Sequence, residues 1–147
     1  MQPWEVAARE AIRDLVARYS VAGDRGRFDD LIGLFTDDGL LELPEGRSAR
    51  GREAIRAFLT DTATSLRDAT TRPVIRHHVT THQIDVASAT EATGTAYFFV
   101  VTERGPDHWG RYRDRYACVD GVWRFAHRKV TLDGWAPGSW SAERRKG

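Results

Sequence analysis

The sequence predicts an α+β domain: a curved antiparallel sheet wrapped around three N-terminal helices, with an internal pocket. Three observations predict it. Apolar residues recur at spacings of three and four over 8–35 and the pattern is helical again from Gly51 to about Leu66. From residue 74 to 131 the chain is instead rich in β-branched and aromatic residues. The connections within that second region are short, and Asp120-Gly121 is the strongest hairpin signal among them. Helices segregated ahead of antiparallel strands define the α+β class. Three helices cannot cover both faces of so long a meander, so the sheet is expected to curl around them and leave a cavity.

The elements follow in order. Ala8, Ile12, Leu15, Tyr19 and Ala22 form one stripe of a first helix, with Pro3 in its first turn and Gly23 as its stop. Asp24-Arg25-Gly26 allows only a tight connection to a second helix bearing Phe28, Leu31, Ile32 and Phe35. Leu40, Leu41 and Leu43 make a short strand ended by Pro44-Glu45-Gly46. A third helix runs from Gly51 to about Leu66, with Ile55, Phe58, Leu59 and Leu66 inward, and 68–73 is a loop closed by Pro73. Strands are expected over 74–86, 92–102, 109–119 and 122–131. Their connections are Ala87–Glu91, Arg104–Asp107 and Asp120-Gly121. One domain spans 1–136, and 137–147 is a loose tail.

Composition removes several classes of function. With 147 residues the chain suits one domain, large enough to bury a core without disulfides. Its 22 Lys+Arg balance 21 Asp+Glu, so a nucleic-acid partner is not expected; Arg144-Arg145-Lys146 reads as a solvated tail. Cys118 is the single cysteine, which rules out an intrachain disulfide and the multi-cysteine zinc patterns. No apolar run approaches the ~18 residues of a membrane span, and Glu5, Arg9, Glu10, Arg13 and Asp14 break any secretory core at the N-terminus. A cytoplasmic protein without membrane contact is the expectation.

Residues able to do chemistry are few. His77, His78 and His82 share one strand with Asp85. In a flat strand His78 and His82 face with Ile84 and Val86, and His77 faces the other way with Val79, Thr81 and Asp85; a bulge would exchange these faces. No further ligand pair at metal spacing accompanies them, so no metal is expected. Asp24, at a helix–helix break, reads on its own as a turn or cap residue. Arg128 in the last strand is a candidate partner for Asp114, and Tyr112 and Tyr116 share a face with Cys118. No G-x-S-x-G and no G-x-G-x-x-G occurs.

Ile12-Arg13-Asp14-Leu15-Val16-Ala17-Arg18-Tyr19, Asp24-Arg25-Gly26-Arg27-Phe28-Asp29-Asp30-Leu31 and Leu34-Phe35-Thr36-Asp37-Asp38 together resemble the opening of SnoaL-like domains. These belong to the nuclear-transport-factor-2-like superfamily of cone-shaped α+β folds. Gly51-Arg52-Glu53-Ala54-Ile55, Arg76-His77-His78-Val79-Thr80 and Asp120-Gly121-Val122-Trp123-Arg124-Phe125 resemble its third helix, histidine strand and last hairpin, so the resemblance covers about 5–135. The pattern is most similar to the group of scytalone dehydratase, bile-acid dehydratase and hexachlorocyclohexane dehydrochlorinase. That resemblance implies an Asp–His pair at Asp24 and His77, with Arg128 at the dehydrochlorinase arginine and Tyr19 where that enzyme carries lysine. The second histidine of scytalone dehydratase falls on Thr102 and its first-strand tyrosine on Leu43, which turns the reading away from scytalone itself.

The implied activity is a cofactor-independent lyase, dehydratase-like, acting on a hydrophobic or polyketide-like small molecule. The imidazole has an ordinary pKa of about 6.5 and can take a proton from carbon and return it to a leaving group. The carboxylate fixes its tautomer. Arg128 is expected to hold a developing enolate or departing anion and Tyr19 to donate to a carbonyl. Phe58, Phe99, Trp109 and Tyr112 are the candidate substrate-binding residues. A cyclase or isomerase using the same pair, or a non-catalytic binding cone, are the alternatives. A homo-oligomer, dimer or higher, is implied by the family.

Overall fold

The computed structural model describes residues 1–67 and 74–145, with residues 65–67 described by their backbone alone. The chain folds as α1 (Pro3–Asp24), α2 (Phe28–Ile32), β1 (Phe35–Glu42), β2 (Ser48–Arg50), α3 (Arg52–Arg67), β3 (Arg76–Val86), β4 (Glu91–Thr102), β5 (Gly105–Val119), β6 (Val122–Trp135) and α4 (Trp140–Arg144). The expected loop at 68–73 and the expected burial of Leu66 lie outside the described residues. No described helix is long and apolar enough to cross a membrane.

Six strands form one sheet in the order β2-β1-β6-β5-β4-β3. All pairings are antiparallel except β1 with β6, which run parallel and are separated in the chain by the four strands β2 to β5. The α1 stripe is buried as its spacing predicts, with Ala8, Ile12, Leu15, Val16 and Ala22 inside, and it packs with Leu31, Ile32, Phe35, Leu41, Ile55 and Phe125. The second helix is shorter than its apolar spacing suggests: Phe35 opens β1 rather than closing α2. Arg52 secures α3 to β1 by donating from Nε and Nη2 to the Phe35 carbonyl at 3.1 and 2.8 Å.

The β5–β6 hairpin turns at Asp120-Gly121, both with positive φ (52° and 79°), which is the backbone a tight two-residue hairpin demands. Three boundaries differ from expectation. Gly23 does not stop α1, which runs on to Asp24; the left-handed residue that turns the chain is Gly26 (φ 68°). β5 begins at Gly105, so the turn before it is Glu103-Arg104. Beyond residue 136 the segment expected to be loose carries α4, capped by buried Ser139, whose Oγ accepts from the Ala142 N–H at 3.1 Å.

The strand faces also need correction at two places. Register shifts between Val79 and Thr81, so a bulge at Thr80 puts His82 on the same inner face as His77. On β4 the inner face is Ala92, Ala96, Phe98 and Val100, leaving Phe99 on the outer face.

Candidate functional site

Asp24 is the last residue of α1, at the end where a carboxylate gains nothing from the helix dipole. It is not a cap. Its side chain is only 8% exposed and is held by β3: Oδ1 lies 2.6 Å from His77 Nδ1, and Oδ2 accepts the His77 backbone N–H at 2.9 Å. Both oxygens therefore grip one residue, one through its ring and one through its main chain. The carboxylate on Nδ1 places the ring proton there and leaves Nε2 as the free base. The His77 side chain is 28% exposed, so the ring is reachable.

Around the pair lie Phe98 and His108, whose ring centroids stand 6.3 and 6.4 Å from that of His77. The sheet register explains this. His77 is opposite Val100, and Val100 opposite His108, so the two histidines occupy one row on the inner face with a fully buried valine between them. Phe98 then stacks on Tyr112 at 4.6 Å, carrying the site inward. Gly110 permits this stack: a Cβ there would meet the Phe98 ring at 2.9 Å.

Arg128 is wholly buried. Its Nε and Nη2 donate to the two carboxylate oxygens of Asp114, both at 2.8 Å, in the two-pronged geometry that suits a planar guanidinium. Tyr19, Tyr112 and Phe125 box the guanidinium, with ring centroids 4.3, 3.8 and 4.3 Å from Cζ. The neighbouring carboxylate offsets the cation, so this arginine brings no net charge into the cone. One donor remains: Arg128 Nη1 is buried and has no partner among the described residues. Burial raises the Tyr19 hydroxyl above the ordinary tyrosine value and the Tyr112 hydroxyl well above it, so both stay protonated donors.

Five sequence candidates thus converge on the interior: Asp24 and His77 in contact, and Tyr19 and Tyr112 around Arg128. The others separate. Phe99 stacks on His78 outside the sheet at 5.1 Å, and Trp109, its cross-strand partner, covers Gly134 on that same outer face. Both are corrections, since an outer aromatic cannot line the interior. Phe58 packs on the core beneath the Arg47 guanidinium, 5.3 Å from Cζ to its ring centroid. His82, which a flat strand would place with His78, is inside: its Nε2 is 3.0 Å from the Tyr116 hydroxyl. His78 remains on the outer face. Among the described residues no group of three or more His, Cys, Asp or Glu is arranged to hold a metal. Two clefts of about 430 and 400 Å³ open beside α2–α3 and beside β1–β6; neither is lined by Asp24 or His77.

Two residues of the site escaped sequence reasoning. Phe98 was legible from the small and apolar alternation Ala92, Gly94, Ala96, Phe98, Val100. His108 was not, because it gains its meaning from a bulge that aims Asp107 at its ring and from Ser141, which only the fold brings to it.

Residues 4–129 match the SnoaL-like domain family, and the chain belongs to it. Its fold is that of the nuclear-transport-factor-2-like cone. Among solved structures it is similar to a Novosphingobium aromaticivorans protein assigned as a scytalone dehydratase, with 26% identity over 92% of this chain and 91% of that one and a TM-score of 0.80. A Mycobacterium tuberculosis protein of unknown function is 30% identical over 90% of this chain and 77% of that one, with a TM-score of 0.75. The hexachlorocyclohexane dehydrochlorinase of Novosphingobium barchaimii shares the fold, with 19% identity, 91% and 92% coverage and a TM-score of 0.77. No curated protein matches the chain.

Proposed function

We propose that this chain is a cofactor-independent lyase of the dehydratase type, acting on a hydrophobic, polyketide-like β-hydroxy ketone. The observation that carries the reading is the 2.6 Å contact from His77 Nδ1 to an Asp24 carboxylate that is itself pinned by the His77 main chain. Similarity to the protein assigned as a scytalone dehydratase supports elimination over cyclisation or isomerisation, which would use the same proton transfer.

In this mechanism His77 Nε2 removes the proton α to the ketone, and Asp24 stabilises the imidazolium as it forms. Charge gathers on the carbonyl oxygen. The unpartnered Arg128 Nη1 and the Tyr19 hydroxyl are the donors assigned to that oxygen. Because Asp114 already offsets its charge, Arg128 acts here as a hydrogen-bond donor rather than as a net cation. The β C–O bond then breaks, and the departing oxygen takes its proton back from His77, leaving as water. Phe98 and Tyr112 supply the apolar wall.

The test uses 3-hydroxy-1-tetralone, a β-hydroxy aryl ketone whose dehydration yields 1-naphthol and is followed by absorbance. Wild type should convert it, and His77→Ala should lose ~10²–10⁴-fold in kcat while still binding 1-naphthol. Undiminished turnover by His77→Ala would remove His77 as the base.

A further inference from the structure

A second carboxylate-backed histidine faces the same space as His77. His108 Nδ1 lies 2.8 Å from Asp107 Oδ2 and 3.1 Å from the Ser141 hydroxyl. Asp107 is an extra residue in β5, where the register with β4 shifts between Val100 and Val101, and the bulge lets it reach its own neighbour's ring. It is 1% exposed and is also held by α4: Ser141 donates its hydroxyl to Oδ2 and its N–H to Oδ1, the latter at 3.3 Å. Nothing in the Asp24–His77 chemistry uses this cluster.

Its protonation state follows from its contacts. Burial pushes the Asp107 carboxyl up, but the hydrogen bonds from Ser141 and His108 outweigh it and hold the acid below its ordinary range. Asp107 is therefore an anion, and a lone pair on Nδ1 would repel it, so Nδ1 carries the proton. Burial draws the His108 pKa below its ordinary value despite Asp107, and the nearby His77 adds to that. The ring is thus neutral at pH 7, with Nδ1–H toward Asp107 and a bare acceptor at Nε2. Among the described residues nothing donates to that Nε2, and the side chain is 24% exposed.

We propose that His108 is a specificity-determining residue: its Nε2 accepts a hydrogen bond from a substrate hydroxyl held beside His77, so the site selects substrates whose leaving group is a hydroxyl over those whose leaving group lacks an O–H. The proposal rests on the dehydratase reading and narrows it. A hydroxyl that donates to His108 turns an oxygen lone pair toward the proton on His77 Nε2. His77 takes the proton from carbon, the C–H electrons form the new double bond, the C–O bond breaks with its electrons on oxygen, and that oxygen receives the same proton from His77. No proton passes to His108. A site that pairs a substrate hydroxyl rejects an analogue lacking it because the site's own acceptor is then left unsatisfied.

The test compares 3-hydroxy- with 3-methoxy-1-tetralone, which both eliminate to 1-naphthol. Wild type should favour the hydroxy compound by ~10²-fold or more in kcat/KM. His108→Asn, whose amide can still donate to Asp107 but offers nothing at Nε2, should lower that preference about tenfold or more, chiefly by slowing the hydroxy compound. A preference within about twofold of wild type would overturn the proposal. Independently of turnover, ¹⁵N NMR of the free protein at pH 7 should show His108 as the neutral Nδ1–H tautomer; an Nε2–H tautomer or an imidazolium would also overturn it. If wild type converts neither ketone, the dehydratase reading falls, and the tautomer alone decides whether His108 is the free acceptor inferred here.

Discussion

His82 Nε2 and the Tyr116 hydroxyl stand 3.0 Å apart at the start of a buried chain of polar groups. Tyr116 donates to Asp114 Oδ2 at 2.8 Å, and Asp114 receives both prongs of Arg128. Four polar side chains from β3, β5 and β6 thus tie the sheet together beneath α1. Such a network stabilises a fold only while each member keeps its partners.

That dependence predicts acid sensitivity. His82 has its pKa lowered from the ordinary histidine value, first by burial, with Asp114 opposing and Arg128 and Arg13 adding to the fall. His108 moves the same way, for burial first. The unfolded chain therefore binds these protons more readily than the folded one. Their contribution is complete above about pH 6.5 and is lost as the pH falls from there through the lowered folded-state pKa values. Asp107, held below the ordinary carboxylate range, adds a further loss only at more acid pH. Calorimetry should show Tm falling from pH 7 to pH 5 in wild type and falling less in His82→Asn. An identical pH slope in the variant would remove His82 from the account.

Asp114→Ala tests the buried ion pair. It leaves the Arg128 cation buried without its partner, which costs about 3–5 kcal/mol, whereas replacing both members by apolar residues of similar volume is far milder. Urea unfolding should place Asp114→Ala well below wild type and Asp114→Leu/Arg128→Met between the two. Equal destabilisation of the single and double variants would mean that packing, not the orphaned charge, sets the cost. Arg128→Lys should also unfold early, since lysine keeps the charge but cannot span both Asp114 oxygens.

Gly94 shows how tightly this chain is fitted. A Cβ there would lie 2.6 Å from the Tyr116 hydroxyl and 2.8 Å from its ring. Gly94→Ala must push the ring off His82 and Asp114, at a cost of about 1–3 kcal/mol. Tyr116→Phe, which keeps the ring but drops the hydroxyl, separates the hydrogen bonds from the packing. If Gly94→Ala unfolds at the same urea concentration as wild type, the ring has room that its contacts deny.

These residues also show where sequence reading reaches and where it stops. Local spacing gave the α1 stripe and the Asp120-Gly121 hairpin, because each is fixed within a few residues of chain. Family resemblance singled out Asp24 and His77, which a helix-end aspartate and one histidine among three could not do by themselves. What failed was everything that depends on a one-residue shift. The bulge at Thr80 turned His82 inward, and the bulge at Asp107 aimed a carboxylate at His108. A strand's period of two makes such shifts invert every later side chain, and no residue type announces them. α4 was missed for another reason: its value lies in Ser141 reaching Asp107, a contact 34 positions distant in sequence.

Asp24→Asn is the sharpest probe of the proposed chemistry. Asparagine fits the same space and can still accept the His77 backbone N–H through its carbonyl oxygen, so the fold should persist. Its amide nitrogen would then face His77 Nδ1 where a carboxylate oxygen now stands at 2.6 Å. Two donors cannot share that contact, so the imidazole must turn its lone pair to the amide and carry its proton on Nε2. The base is then protonated on the nitrogen that should receive the substrate proton, and no neighbouring anion remains to stabilise the imidazolium. Turnover of 3-hydroxy-1-tetralone should fall by ~10²–10⁴-fold, with KM nearly unchanged. ¹⁵N NMR should show the His77 tautomer exchanged relative to wild type. Wild-type turnover in Asp24→Asn, with the tautomer exchanged, would show that the carboxylate does not direct the reaction.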